Sequence, residues 1–418
     1  MKTQVAIIGG GPAGTSIAIQ LMKAGIDCVI IEKDQFPRFH IGESMTGECG
    51  SSVRALGIET KMQDKKFPIK SGTMVYGANG KNKYHIPVMC RTDDGMLAPQ
   101  TTWQVKRSDF DKMLLESALE NGVKTISGQV LDVIREGAEI RGLKFLVDGK
   151  EKNLFADIIA DCSGQNTFLA SRGVTSEKQR GKYHNQTAVF SHFKNCVRPK
   201  QGEEEHLMAD DTLIFYSKKH YWGWFIPIDD EIVSVGIVAP SEYFKSSKES
   251  KKDYLLREMK TMHTLLSERV KNAELVQDVH ACSSYSYHIK EFTGKNWLCV
   301  GDAHRFIDPI FSFGLHFAMA EGRKAASAIE KYITGNFVNK DNPFIDYQTE
   351  CEGGMDIIQE MLDAFWDYPL AFSLYTRHKK YRDDFIDMFA GRVYNINLPE
   401  GLLALKSLNR QNNAPVQA

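Results

Sequence analysis

The chain has 418 residues, long enough for two or three interleaved units. It is 42% hydrophobic and 25% charged with a formal net charge of −1, which excludes a disordered chain and gives no reason to expect nucleic acid as a partner. The eight cysteines are scattered with no C-x-x-C pair, so no zinc site or other metal centre and no disulfide framework is expected, and a reducing, cytoplasmic setting is. No apolar run approaches the ~18 residues of a membrane span, and no signal peptide is evident.

Val5 to Ile8 is a short apolar run predicted as a buried strand. Gly9, Gly11 and Gly14 follow in G-x-G-x-x-G spacing, with Pro12 and Ala13 between them. Gly9 suits the tight turn, Gly11 a close approach of backbone to a pyrophosphate, and Gly14 the packing of the next helix on the strand. That helix is predicted from Pro12 to about Gly25. A second strand, Cys28 to Ile31, ends in Glu32, roughly 20 residues beyond the glycines, where an acid accepts ribose hydroxyls. Lys33 follows it. In FPRFHIGES, Arg38 and His40 lie just beyond this strand, and Ser44 or Thr46 is positioned to cap a helix.

Residues 66–105 lose helical period and read as antiparallel strands with a turn at ANGKN, 78–82. KRSDFDKMLLESALENG is an amphipathic helix, with Arg107 at its start and Ser108 and Gly122 as candidate caps. Short strands up to Val147 and a DGK turn at 148–150 precede an apolar strand ending in Asp161 and the turn Cys162-Ser163-Gly164. Residues 182–240 are β-rich and contain YWGWFIPI. KSSKESKKD, 245–253, is read as a solvated loop before a helix at about 253–271. Trp297 to Val300 is a third strand ending in a small turn, Gly301-Asp302-Ala303, and a long helix runs from Gly314 to Ile333. The region 345–410 is helical and the last eight residues are expected to be disordered.

The fold class that follows is α/β. A discontinuous, Rossmann-like dinucleotide domain (1–65, 100–175, 275–340) carries an inserted antiparallel-sheet substrate domain (66–99, 176–274). A helical C-terminal region, 341–418, completes the chain. Three strands ending in small turns suit FAD better than NAD, because the isoalloxazine needs a second site. Asp161 and Gly164, then Gly301 and Asp302, and then Pro309 and Gly314 are the candidates for it. The helix N-terminus at Gly314 offers free N–H groups and positive potential to a reduced flavin. No second G-x-G-x-x-G appears, so electrons are expected from transient NAD(P)H or a separate flavin reductase.

The words GGGPAG, QVKRSDFD, ADCSGQN and GDAHRFIDP resemble the hydroxybenzoate-hydroxylase-like FAD proteins. Within that group Trp222-Gly223-Trp224-Phe225-Ile226-Pro227 matches the W-x-W-x-I-P motif of flavin-dependent halogenases, and FPRFHIGES and DPIFSFGLH resemble the phenol- and pyrrole-type members. The resemblance covers some three-quarters of the chain, residues 5 to about 320. It implies that externally reduced FAD, O2 and a halide ion together yield hypohalous acid, which travels down a tunnel to a lysine. There an electron-rich aromatic substrate, free or carrier-bound, takes the halogen. By the same resemblance Lys70 is that lysine, Trp222 and Trp224 wall the flavin off from substrate, Arg107 contacts FAD, and Ser312 belongs to the catalytic end. One departure stands out: the family reads F-S-S-G where this chain has Phe311-Ser312-Phe313-Gly314, so a ring replaces a hydroxyl at the halide pocket. No Glu stands at 311, where tryptophan halogenases carry one. The alternatives are a same-fold monooxygenase or geranylgeranyl-reductase-like oxidoreductase, and a non-catalytic flavin-binding protein.

Overall fold

A computed structural model describes residues 1–412 apart from 79, 81, 138, 181–183 and 201. The ANGKN turn therefore falls partly, and the polar tail from 413 onward wholly, outside the described residues.

Two large sheets organise the chain. In the first, the strands run in the order Gln129–Glu136, Glu139–Val147, Lys150–Asp161, Lys2–Ile8, Cys28–Glu32, Lys124–Ser127, with Trp297–Cys299 also paired to Lys150–Asp161. The four central pairings are parallel, and their register decides where the site lies. Ile8 stands beside Ile31 on one side and Asp161 on the other, and Asp161 stands beside Cys299. The chain thus leaves the sheet at Gly9, Lys33, Cys162 and Val300 along one carboxyl edge, the place where open parallel sheets bind ligands. The apolar runs read from sequence form these strands because both faces are covered: Val5, Ala6, Ile7, Ile30, Ile158 and Ile159 are fully or almost fully buried. The DGK turn has Asp148 and Gly149 both at positive φ, 50° and 72°, the backbone of a two-residue hairpin whose twist suits the flanking strands.

The second sheet runs Glu274–Leu275, Gln186–Lys194, Val233–Pro240, Tyr221–Pro227, Thr212–Lys218, Gly72–Tyr76, Lys83–Pro87. It departs from the predicted pattern twice. Thr212–Lys218 pairs parallel with Gly72–Tyr76, since these segments come from separate excursions of the chain and no hairpin constrains their direction. His280–Ser283, placed by sequence with the dinucleotide unit, instead pairs with Gln186–Lys194. In Tyr221–Pro227 alternate residues serve different cores. Trp222, Trp224 and Ile226 pack with the C-terminal helices, and Phe225 with the helices on the other face.

Helix boundaries also differ in places. Thr46, not Ser44, caps Gly47–Leu56, accepting from the Cys49 N–H at 3.3 Å. Lys106 precedes the helix Arg107–Glu120, so Ser108 lies inside it. The predicted helix at 253–271 is two, Lys251–Thr261 and Thr264–Arg269, with His263 capping the second. The long helix Gly314–Ile333 lies against Pro12–Lys23. A Cβ on Gly322 would stand 2.9 Å from the Ala13 carbonyl oxygen, so this crossing requires glycine. Among the described residues no helix is long and apolar enough to cross a membrane.

Candidate active site

A cavity of about 540 Å³ runs along the carboxyl edge of the first sheet to the Trp222 face of the second. At one end Gly9, Gly11, Pro12 and Ala13 line it with Glu32 and Lys33. Gly9 has φ 101°, and a Cβ there would meet the Cys162 carbonyl oxygen at 2.6 Å. A Cβ on Gly14 would stand 2.0 Å from the Gly9 oxygen, so Gly14 supports the turn from beneath rather than lining the cavity. Helix Pro12–Lys23 begins without a side-chain cap, leaving its first N–H groups for a ligand. The Glu32 carboxylate accepts from the Gly10 N–H at 2.6 Å and the Asp34 N–H at 2.8 Å. It therefore braces the glycine turn while lining the cavity.

Midway, Arg38 and Arg107 converge on one carboxylate. Arg107 makes a two-pronged pair with Asp111, Nε to Oδ1 at 2.7 Å and Nη2 to Oδ2 at 3.0 Å, and its Nη1 donates to the Ile41 and Gly42 carbonyls. Arg38 Nη1 lies 3.3 Å from the same Asp111, and Arg38 Nε is buried without a hydrogen-bond partner. Asp111 is fully buried and does not face the cavity. Sequence reading missed it, although its i, i+4 spacing from Arg107 is a pairing signal. Ser163 and Gly164 line the cavity here, whereas Asp161, expected to touch the cofactor, does not. Its carboxylate is fully buried and accepts from the Ser163 and Leu169 N–H groups at 3.0 and 2.7 Å, holding the turn that presents its neighbours. Gly301 is likewise supporting: it has φ 61° and donates its N–H at 2.7 Å to the fully buried Glu321. Asp302 does line the cavity. Burial pushes its carboxyl up to about 7, while Arg107 pulls the other way.

The far end is framed by Pro309, Ser312, Phe313, Gly314, Leu315, Phe317 and Ala318. Ser312 is in the left-handed region at φ 63°, which turns the chain into the helix, and no side chain caps the first turn of Gly314–Ile333. Gly314 and Leu315, at the start of this helix, line the cavity end. The Phe313 ring is almost fully buried, 6.0 Å from the Phe317 ring centre. Trp222 and Trp224 form the opposing wall, with ring centres 5.8 Å apart. Trp224 Nε1 donates to Ser234 Oγ at 3.0 Å.

Lys70 is 4% exposed, carried on the two-residue strand Ile69–Lys70 that pairs with Thr102–Trp103. Its Nζ donates to Ser44 Oγ at 2.9 Å and to the Met45 carbonyl at 3.1 Å. Ser44 and Thr212, their hydroxyls 2.9 Å apart, line the cavity. Lys70 therefore sits one side chain behind the wall rather than projecting into the main space. Burial lowers its pKa from 10.5 to about 8, with Asp211 acting in the opposite sense. Beside it, Glu43 is 2% exposed and meets His192 Nε2 at 2.6 Å, a buried pair that nothing in the sequence pattern signalled.

The residues present fit FAD. A glycine cradle without Cβ atoms, a braced acid at a strand end, an arginine whose buried Nε makes no hydrogen bond and only a 3.7 Å ion pair with Asp34, and an uncapped helix at the far end lie along one continuous cavity.

Residues 2–352 match the FAD binding domain family. The chain is 40% identical over 391 residues, 94% of its length and 92% of the relative's, to the 1H-pyrrole-2-carbonyl-(peptidyl-carrier protein) brominase of Pseudoalteromonas luteoviolacea. It is 28% identical over 414 residues, 94% of its length and 89% of the relative's, to the corresponding chlorinase of Pseudomonas fluorescens. The solved structure of the flavin-dependent brominase Bmp2 superposes with a TM-score of 0.90 at 36% identity, covering 99% of both chains. With an FAD cradle along one sheet edge, a tryptophan wall facing it and a buried lysine behind the Ser44–Thr212 wall, the chain belongs to the flavin-dependent halogenases, FAD-dependent oxidoreductases of the FAD binding domain family.

Proposed function

We propose that the chain brominates a pyrrole ring presented as a thioester on a peptidyl carrier protein, with FAD reduced by a separate flavin reductase. The observation that carries this reading is the buried Lys70 behind the Ser44–Thr212 wall of the cavity that the paired tryptophans also line. The 40% identity to a carrier-dependent pyrrole brominase supports the substrate class. The absence of a second G-x-G-x-x-G in the sequence supports the external reductase.

Bound FAD, reduced and exposed to O2 and halide, supplies hypohalous acid. The protein's own groups do the rest. Gly9, Gly11, Arg38 and Glu32 would hold the ADP half of FAD, and Asp302 and the N-terminus of Gly314–Ile333 its flavin half. Trp222 and Trp224 keep the substrate ring away from the redox centre, so that only a small oxidant passes. An ammonium has three N–H donors. Two on Lys70 go to Ser44 and Met45, and because Ser44 lines the cavity while Lys70 stands behind it, the lysine's proton reaches the oxygen of hypobromous acid through the Ser44 hydroxyl, which accepts from Nζ and donates its own O–H. As the ring carbon attacks bromine, the O–Br bond breaks. The oxygen leaves as water with the proton from Lys70, and the ring's displaced proton returns to the amine. The low dielectric around Lys70 strengthens that hydrogen bond and eases proton release.

The test is turnover of pyrrolyl-S-carrier with FAD, a flavin reductase, NADH and bromide, followed by mass spectrometry. Brominated pyrrole supports the reading. Hydroxylated product or free peroxide alone, across carrier-bound and free substrates, overturns it.

A further inference from the structure

A second cavity, about 400 Å³, opens beside the helix Gly314–Ile333. His316, Ala320, Arg323 and Ser327 line it, spaced i, i+4, i+7 and i+11. That is one stripe running roughly 16 Å along the helix. Leu315 and Phe317 line the first cavity and His316 between them lines the second, so the two spaces lie on different faces of this helix.

Among the described residues the lining of the second cavity carries three cationic side chains, Arg323, Lys324 and Arg392, against one carboxylate, Glu48, which pairs with Arg392. The Arg323 guanidinium touches only Ser52 Oγ, at 3.4 Å, and among the described residues no carboxylate lies within ion-pair distance. Burial lowers its pKa, with Glu48 opposing. Arg392 spends Nε on Asp387 and Nη1 on Glu48 and Met89, but its buried Nη2 has no partner. The Tyr394 hydroxyl is buried and unpartnered. His316 is 1% exposed, and neither ring nitrogen makes a hydrogen bond. Burial, reinforced by Lys324, holds its pKa down at about 3, so a neutral imidazole donates one N–H. Gly391, at φ 94°, leaves room for the His316 ring, since a Cβ there would stand 2.7 Å from it. Arg323 is half-buried and its opposing charge, Glu48, is already paired with Arg392, so the cluster gains from a further anion. Convergent arginine and hydroxyl donors match a tetrahedral oxyanion, and the cavity far exceeds the needs of one halide ion.

We propose that this cavity is a phosphate-binding site, and that it takes the phosphodiester of the flexible arm on which carrier-bound substrate arrives. The second half rests on the function proposed above. A pantetheine-type arm is anionic at its carrier end and thioester-linked at the other. The stripe offers length for the arm between the Arg323–Arg392 end and His316, whose chain neighbours Leu315 and Phe317 line the first cavity.

The experiment uses the full FAD-loaded chain. KM and kcat are measured for pyrrolyl-S-carrier and for a pyrrolyl-pantetheine thioester lacking phosphate, in wild type, Arg323→Gln, Arg323→Lys and Ser327→Glu. Inorganic phosphate is titrated in parallel by melting temperature. Loss of a charge-assisted hydrogen bond predicts a rise in KM for the carrier substrate of about ten-fold or more in Arg323→Gln and Ser327→Glu. kcat stays constant, the phosphate-free substrate is unaffected, Arg323→Lys recovers part of the loss, and inorganic phosphate stabilises only wild type and Arg323→Lys. Equal changes for both substrates, or no change for either, overturn the proposal. Stabilisation by inorganic phosphate with an unmoved carrier KM overturns the assignment to the arm and leaves a site for free phosphate. If wild type turns over neither pyrrolyl substrate, the proposed function fails. The phosphate titration then still decides the site, because a wild-type shift absent in Arg323→Gln supports it and no shift overturns it.

Discussion

Lys70 Nζ donates to Ser44 Oγ at 2.9 Å, tying a two-residue strand at the edge of one excursion to the FPRFHIGES segment of the dinucleotide unit. The serine presents its hydroxyl to the cavity, so the lysine acts at the wall. Lys70→Ala is expected to abolish bromination by more than a hundred-fold, as removal of a positioned proton donor does, while FAD affinity and peroxide production stay intact. The check is paired measurement of brominated product and peroxide. Loss of FAD along with product would make Lys70 a structural residue.

The same burial predicts a pH signature. The folded-state pKa of Lys70 is lowered from 10.5 to about 8. Between those values the unfolded chain holds the proton that the folded chain has released, so this group makes stability rise with pH across that window. Activity should do the reverse, falling through an alkaline limb near 8 as the ammonium loses the proton it passes to Ser44, with peroxide formation unaffected. A bromination profile flat from pH 7 to 9.5 rules the role out.

Arg107 and Asp111 form the buried pair at the middle of the cavity, and Asp111 also faces Arg38. Asp111→Asn should destabilise the fold by about 3 to 5 kcal/mol, because removing one member leaves buried positive charge uncompensated. FAD binding should weaken too, since Arg107 Nη1 holds the Ile41 and Gly42 carbonyls in place. Denaturant melts and FAD titration read both, and an unchanged midpoint contradicts this account.

At the fingerprint, Gly14→Ala would place a methyl 2.0 Å from the Gly9 oxygen, whereas Gly25→Ala meets nothing within 4 Å. Retention of FAD through purification should be lost in the first. The second should keep FAD and lose only the roughly 1 to 2 kcal/mol of holding alanine in the left-handed region. Equal behaviour of the two variants would show that the close approach at Gly14 has no importance.

Phe313 stands where the phenol- and pyrrole-type pattern has serine, and its ring packs against Phe317 at the mouth of the uncapped helix. Phe313→Ser should open that end to anions, lower the half-saturating bromide concentration and admit chloride. It should also cost stability at the scale of a Phe-to-small change in a core, about 3 to 5 kcal/mol. Halide competition assays decide it: no change in halide dependence would leave the ring a core residue only.

By itself the sequence determined the local pieces. The parallel strands, the glycine turn, Glu32 at the strand end and the helix starting at Gly314 were legible because hydrophobic period and glycine spacing are local signals. The tryptophan motif was legible through resemblance. Tertiary structure alone decided which residues face the ligand. Asp161 and Gly301 looked like cofactor contacts and are supports, because a strand end yields a turn without saying which side of it meets the cavity. The parallel pairing of Thr212–Lys218 with Gly72–Tyr76 brings Thr212 to Ser44 and Lys70 from three distant stretches. Glu43–His192 spans 149 residues and Gly391 packs on His316 from the C-terminal region. Such long-range contacts carry no periodicity, since they arise from the free energy of closing a core and from charge left unpaired within it.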